Sequence, residues 1–120
     1  MNYIKIPFDI YKITEFLSID GISYKIVKID PYYESKTEVH KNFIDIFIVK
    51  NGEAKVIIGN IYYGGNEDKE GEIRDCIINN YEEVIIREGE ILIIPNNTAH
   101  KVIVEHKPYI SIVIKIKLKL

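Results

Sequence analysis

Short runs of Ile, Val and Tyr alternate along this chain with clusters of Gly, Pro, Asn and Asp. Side chains that are β-branched or aromatic fit a pleated, half-buried surface better than a helix, and the clusters between them are the usual punctuation of strands. The pattern predicts strands over residues 23–29, 44–50, 54–62, 83–87, 91–94, 101–105 and 109–120, an all-β chain of seven or more strands suited to a barrel or sandwich. Asn51-Gly52 between two apolar runs reads as a two-residue type I′ hairpin, because that turn needs positive φ at both central positions. Residues 64–71 (Gly-Gly-Asn-Glu-Asp-Lys-Glu-Gly) hold no large apolar side chain and read as an exposed loop. Ile10, Ile13, Phe16 and Leu17 fall at helical spacing, so one short N-terminal helix over residues 9–17 is expected. In the last strand Lys115, Lys117 and Lys119 share one face, opposite aliphatic residues, and read as a solvated face that discourages edge pairing.

The 120 residues suffice for a single domain with its own core. A net charge of -2 offers no basic field for phosphates, so nucleic acid is not an expected partner. No apolar run reaches the roughly 18 to 20 positions of a membrane helix, and a membrane is not expected either. The opening Met1-Asn2-Tyr3-Ile4-Lys5-Ile6-Pro7 alternates charge with apolar residues and lacks the apolar segment of a signal peptide, which makes the cytoplasm the expected compartment. Cys76 stands alone, which excludes an internal disulfide and a multi-thiolate zinc site, and reads as a core or loop residue.

Two clusters carry candidate chemistry. Glu38 and His40 are two apart, so on an extended segment they share one face. Asp45 follows five residues later, ahead of the Asn51-Gly52 turn. In the second cluster Gly89 opens a short apolar strand, Pro95 ends it, and His100 follows the next turn. His106, in a His-Lys-Pro turn, reads as an exposed loop residue. The tyrosines read mostly as half-buried cross-strand partners.

These clusters resemble, in order, the two motifs of the cupins, G-x5-H-x-H-x3–4-E-x6-G and G-x5-P-x-G-x2-H-x3-N. Glu38 and His40 occupy the two histidine positions of the first, Asp45 the glutamate position and Gly52 the closing glycine. Gly89, Pro95 and His100 match the second. Tyr32, Glu38, Asp45, Asn97 and Val104 depart from the pattern; Asn97 replaces a glycine, and asparagine tolerates the left-handed backbone required there. Glu38 to Ile46, with Asn51-Gly52-Glu53, is also similar to the YhcH/YjgK/YiaL family, which includes the small subunit of evolved β-galactosidase and is associated with sugar and sialic-acid metabolism. Phe47 and Ala54 depart from that family's pattern.

The resemblance implies a single-domain cupin-type β-barrel, a double-stranded β-helix or jelly roll, over residues 1–120. It implies one metal site built from Glu38, His40, Asp45 and His100. Two imidazoles with carboxylates suit a divalent transition metal, without distinguishing Zn, Fe, Mn, Ni or Cu. Asp45 and Glu38 are the catalytic candidates, as ligand, orienting group or general base. A small oxygen-rich metabolite is expected, a carbohydrate undergoing isomerisation, epimerisation or mutarotation. The alternatives are a non-catalytic sensor or storage cupin and, less favoured, a non-haem dioxygenase. A homodimer is expected, with the long C-terminal strand as one candidate surface.

Overall fold

The computed structural model of the protein describes residues 21–118. The expected N-terminal helix lies outside them, as does Lys119. Thirteen strands follow in chain order: β1 (Ile22–Ile29), β2 (Tyr33–Glu34), β3 (Glu38–His40), β4 (Phe43–Asn51), β5 (Glu53–Gly59), β6 (Ile61–Tyr63), β7 (Asn66–Glu67), β8 (Glu72–Arg74), β9 (Ile77–Asn79), β10 (Glu82–Arg87), β11 (Ile91–Ile94), β12 (Ala99–Val104) and β13 (Tyr109–Lys117). Among the described residues there is no helix, and hence none long and apolar enough to cross a membrane.

The strands form two large antiparallel sheets, one ordered β1-β13-β4-β11 and the other β10-β5-β12-β3-β8-β7, with β2 also paired to β12. They face each other without continuous hydrogen bonding between them among the described residues. The all-β jelly-roll expectation holds. Their core lies between them: Phe47, Val49, Ile94, Tyr109 and Val113 from the first sheet meet Ala54, Val56, Ile86 and Val104 from the second. The two-residue alternation of a strand puts these side chains inward and their neighbours outward. Burying each such aliphatic side chain contributes about 1.5 to 3 kcal/mol.

A smaller pair, β6 and β9, packs Tyr62 and Ile78 against Val39, Ile73, Cys76 and Ala99 on the outer face of the second sheet. Val39 therefore points away from the cavity while its neighbours Glu38 and His40 point into it. Cys76 is a buried member of this cluster, as expected.

Three sequence expectations are corrected. Asn51-Gly52 does not close a hairpin: β4 pairs with β13 and β11, whereas β5 pairs with β10 and β12, so the turn is a corner where the chain crosses between sheets. Gly52 has φ of 77°, but Asn51 is not among the positive-φ residues, so no type I′ turn forms. The C-terminal strand β13 lies between β1 and β4, with both edges paired, and offers no free edge to a second copy. Lys115 is not on a solvated face: it sits opposite Asp45 in the β13–β4 register and lines the internal cavity, while Lys117 is exposed.

Candidate metal centre

Antiparallel register sets the site side by side. On the second sheet His100 of β12 pairs with Glu38 of β3, Glu38 pairs with Arg74 of β8, and His40 pairs with Glu72. Asp45 and Lys115 face this row from the first sheet. Turns lock the arrangement. The backbone N–H of Asn97 donates to the His40 carbonyl at 3.0 Å and the Asn96 amide to the Lys41 carbonyl at 3.2 Å, tying the turn that delivers His100 to the strand that delivers His40. Asn97 has φ of 59°, the left-handed conformation expected of it.

One ligand atom from each of Glu38, His40 and His100 lies within 4.8 Å of the others, with both histidines buried. The imidazole rings are 5.0 Å apart between centroids. Nδ1 of His100 is 3.2 Å from the Thr98 carbonyl, which can only accept, so Nδ1 carries the proton and Nε2 presents a lone pair. Nδ1 of His40 is hydrogen-bonded to Glu72, which turns its Nε2 towards the same point. Asp45, 3% exposed, places Oδ2 at 3.1 Å from Nε2 of His40 and 3.6 Å from Nε2 of His100. Its Oδ1 is buried without a hydrogen-bond partner. All four sequence-predicted site residues thus meet in one place, with Glu38, His40 and His100 as the compact donor set and Asp45 bridging the imidazoles. His106 lies on the surface, paired with Glu105.

The electrostatics separate the two histidines. Burial disfavours a charge on His40, but the Asp45 carboxylate, helped by Glu72 and opposed by Lys115, outweighs it and raises the His40 pKa above 6.5. Burial and the neighbouring His40 push His100 below that value. Burial favours protonation of Asp45, yet its hydrogen bond to His40 and the nearby positive groups hold the carboxyl below its ordinary range. Without metal, then, a proton is favoured on His40 beside the Asp45 carboxylate and disfavoured on His100.

No family model and no curated protein matches the chain. Solved structures do match. A protein from Bacillus halodurans aligns over 96% of this chain and 84% of its own, at 15% identity and a TM-score of 0.63. Hydroquinone 1,2-dioxygenase, solved with Cd2+ and 4-hydroxybenzonitrile, aligns over 85% of this chain at 16% identity and a TM-score of 0.61. Oxalate oxidase aligns over 81% at 19% identity and a TM-score of 0.56. The fold is of the cupin type. This cupin-fold chain spans 61% of the dioxygenase and 42% of the oxidase.

The residues present fit a divalent metal. Two Nε2 atoms and a carboxylate converge, both Nδ1 atoms are engaged outside the cluster, and Asp45 Oδ2 lies against both Nε2 atoms. Proton and metal compete for Nε2 of His40. Apparent metal affinity is therefore expected to fall on acidification, beginning above the ordinary imidazole pKa of about 6.5, because the raised group stays protonated to higher pH. Metal titrations between about pH 8 and about pH 6 check this; a flat profile across that range would refute it.

Glu72 was missed from the sequence. It follows the charged loop of residues 64–71, which is largely exposed as expected, and nothing local distinguishes it from other surface acids. Asp68 accepts the backbone N–H groups of Glu70 and Glu72, shaping the loop end, and β8 then carries Glu72 inward beside His40. Its other oxygen lies 3.5 Å from Lys115 Nζ. Carboxylates that orient a ligand histidine are worth about 10- to 100-fold in metal affinity, so Glu72→Gln is expected to weaken metal binding by that factor. Competition against a chelator of known affinity measures it, and an unchanged constant removes Glu72 from the site.

Proposed function

We propose that this chain is a metal-dependent enzyme moving a proton on a small oxygen-rich metabolite, a carbohydrate undergoing isomerisation, epimerisation or mutarotation. The observation that carries the reading is Asp45: a buried, ionised carboxylate whose Oδ2 contacts both imidazoles, on a residue that lines a cavity of about 240 Å3. The likeness of Glu38–Ile46 to the YhcH/YjgK/YiaL family supports the carbohydrate.

Glu38, His40 and His100 would hold a divalent ion, leaving positions open for substrate oxygens, two adjacent hydroxyls or a hydroxyl beside a carbonyl. Bound there, the ion would supply Lewis-acid polarisation of such an oxygen, which would acidify the neighbouring proton. The Asp45 carboxylate, with Oδ2 beside both imidazoles, would accept that proton and return it to the adjacent atom. Glu72 and the Thr98 carbonyl keep both imidazoles oriented throughout. Phe47, edge-on to His100, helps to exclude water on that side.

The test is solvent exchange. Metal-loaded protein is incubated with a panel of aldoses and ketoses in D2O, and NMR follows deuterium entering the carbon next to the carbonyl and the interconversion of sugars. Asp45→Asn is expected to keep its metal and lose about 10²- to 10⁴-fold in rate, the usual worth of a positioned general base. An unchanged rate would remove Asp45 from the chemistry. No exchange and no accelerated interconversion of any sugar, its anomers included, would overturn the catalytic carbohydrate reading.

A further inference from the structure

The cavity has a second polar end, away from the metal cluster. Along β13 the inward positions are Lys115, Val113, Ser111 and Tyr109, all lining the cavity. Lys115 is opposite Asp45, and Ser111 lies four residues along the strand, about 13 Å away at roughly 3.3 Å per residue. Tyr109 is 1% exposed and Ser111 0%; their hydroxyls lie near enough to influence each other, but neither has a hydrogen-bond partner of good geometry among the described residues. Around them the cavity wall is apolar, formed by Val27, Ile29, Val102 and Val113.

A buried hydroxyl without a partner destabilises a fold, and a Phe and an Ala would fill these two places without that cost. Two such groups at successive inward positions of one strand point to a polar ligand group between the sheets. Burial pushes the Tyr109 hydroxyl up, partly offset by Ser111, so the phenol remains a donor at neutral pH.

Charge identifies the ligand group. Lys25, on β1 opposite Val113, is one register step from Ser111, lines the same cavity, and makes no ion pair among the described residues. With Arg74 and Lys115 it gives the cavity three cationic side chains against the two carboxylates Glu38 and Asp45. Arg74 and Lys115 have partners of their own in Asp68 and Glu72, which leaves Lys25 as the cation for a ligand. A divalent ion at the other end would add positive charge to the cavity.

We propose that Tyr109, Ser111 and Lys25 form an anchoring subsite for the carboxylate of an acidic metabolite, whose other end reaches Glu38, His40 and His100. The two hydroxyls donate to the carboxylate oxygens, and Lys25 balances its charge at the cavity mouth. This rests on the metal-dependent reading for the far end of the ligand, while the subsite itself is made of this chain's side chains alone.

The test uses D-glucuronate and D-glucose, which differ in having a carboxylate or a hydroxymethyl at one end, with 2-oxoglutarate as a second acid. Calorimetric titration of the metal-loaded chain is expected to show an acid binding at least about ten-fold more tightly than glucose. Lys25→Gln, Ser111→Ala and Tyr109→Phe should each weaken that acid about ten-fold or more with metal content unchanged. Ser111→Ala and Tyr109→Phe should also melt no lower than the unaltered chain, because each removes an unpartnered buried group; a purely structural hydroxyl would lower the melting temperature instead. Acids binding no better than glucose, or variants that melt lower and bind acid as before, would overturn the subsite. Elemental analysis of the same samples keeps the two readings apart: absence of metal counts against the metal centre alone, and acid titration of the metal-free chain then decides the subsite.

Discussion

Replacing His40 and His100 together by alanine is expected to take bound transition metal from about one equivalent per chain to none. Among the described residues the two imidazoles are the only nitrogen donors in the cluster, and both direct Nε2 inward because Glu72 and the Thr98 carbonyl occupy Nδ1. Without them Glu38 and Asp45 remain, an oxygen-only pair that holds a borderline metal poorly. Elemental analysis after reconstitution and dialysis measures the difference, with circular dichroism to show that the sheets persist. His106→Ala is the control: its side chain is 71% exposed, and it should retain the metal of the unaltered chain. The double variant also leaves Asp45 buried without its main counter-charges. Its stability should fall, and His40→Asn/His100→Asn, which keeps polar contacts, separates that loss from the loss of metal. Metal retained at one equivalent in both double variants would sink the proposed centre.

Much of this site is legible in the sequence because it depends on local geometry. The spacing of two between Glu38 and His40 needs only an extended backbone to put both on one face, and Val39 turns outward accordingly. Asn97 takes the left-handed backbone, and His100 enters the cavity from the strand that follows. What the sequence hides is non-local. Glu72 reaches His40 through the β3–β8 register, a pairing across 32 residues that no local signal announces. Lys115 is hidden for a related reason. Strand β13 is apolar on both faces, with Val113 inward and Ile112 and Ile114 packed outward, so alternation cannot reveal which face meets the cavity. The same holds for Tyr109 and Ser111, whose hydroxyls become unusual only once they are enclosed. Asn51-Gly52 fails in the opposite direction: its local chemistry favours a hairpin, but the partners of β4 and β5 lie in different sheets, and tertiary pairing overrides the turn.

That corner gives Gly52 a larger role than a hairpin would, and Gly52→Ala is expected to be the most destabilising single methyl addition among the described residues. Its φ of 77° alone costs a residue with a Cβ about 1 to 2 kcal/mol. An added Cβ would lie 2.2 Å from the Pro108 carbonyl oxygen and 3.2 Å from the Tyr109 Cα, both backbone atoms that no rotamer change can move. Relief requires shifting the turn between β4 and β5 against the start of β13, where Tyr109 is fully packed in the core. The total loss should reach about 3 kcal/mol or more, a fall in melting temperature of roughly 12 °C or more for a domain of this size. Gly64→Ala isolates the clash, because Gly64 has a similar φ of 72° with nothing within 4 Å of the added atom, and it should cost only the backbone strain. Thermal unfolding of the two variants side by side measures the difference. If Gly52→Ala melts no lower than Gly64→Ala, the close crossing at Pro108 is not what constrains this position. If it melts far lower, the closing glycine of the first motif is there because one sheet hands the chain to the other at this point, placing Asp45 on one wall of the cavity and the strands that flank His100 on the other.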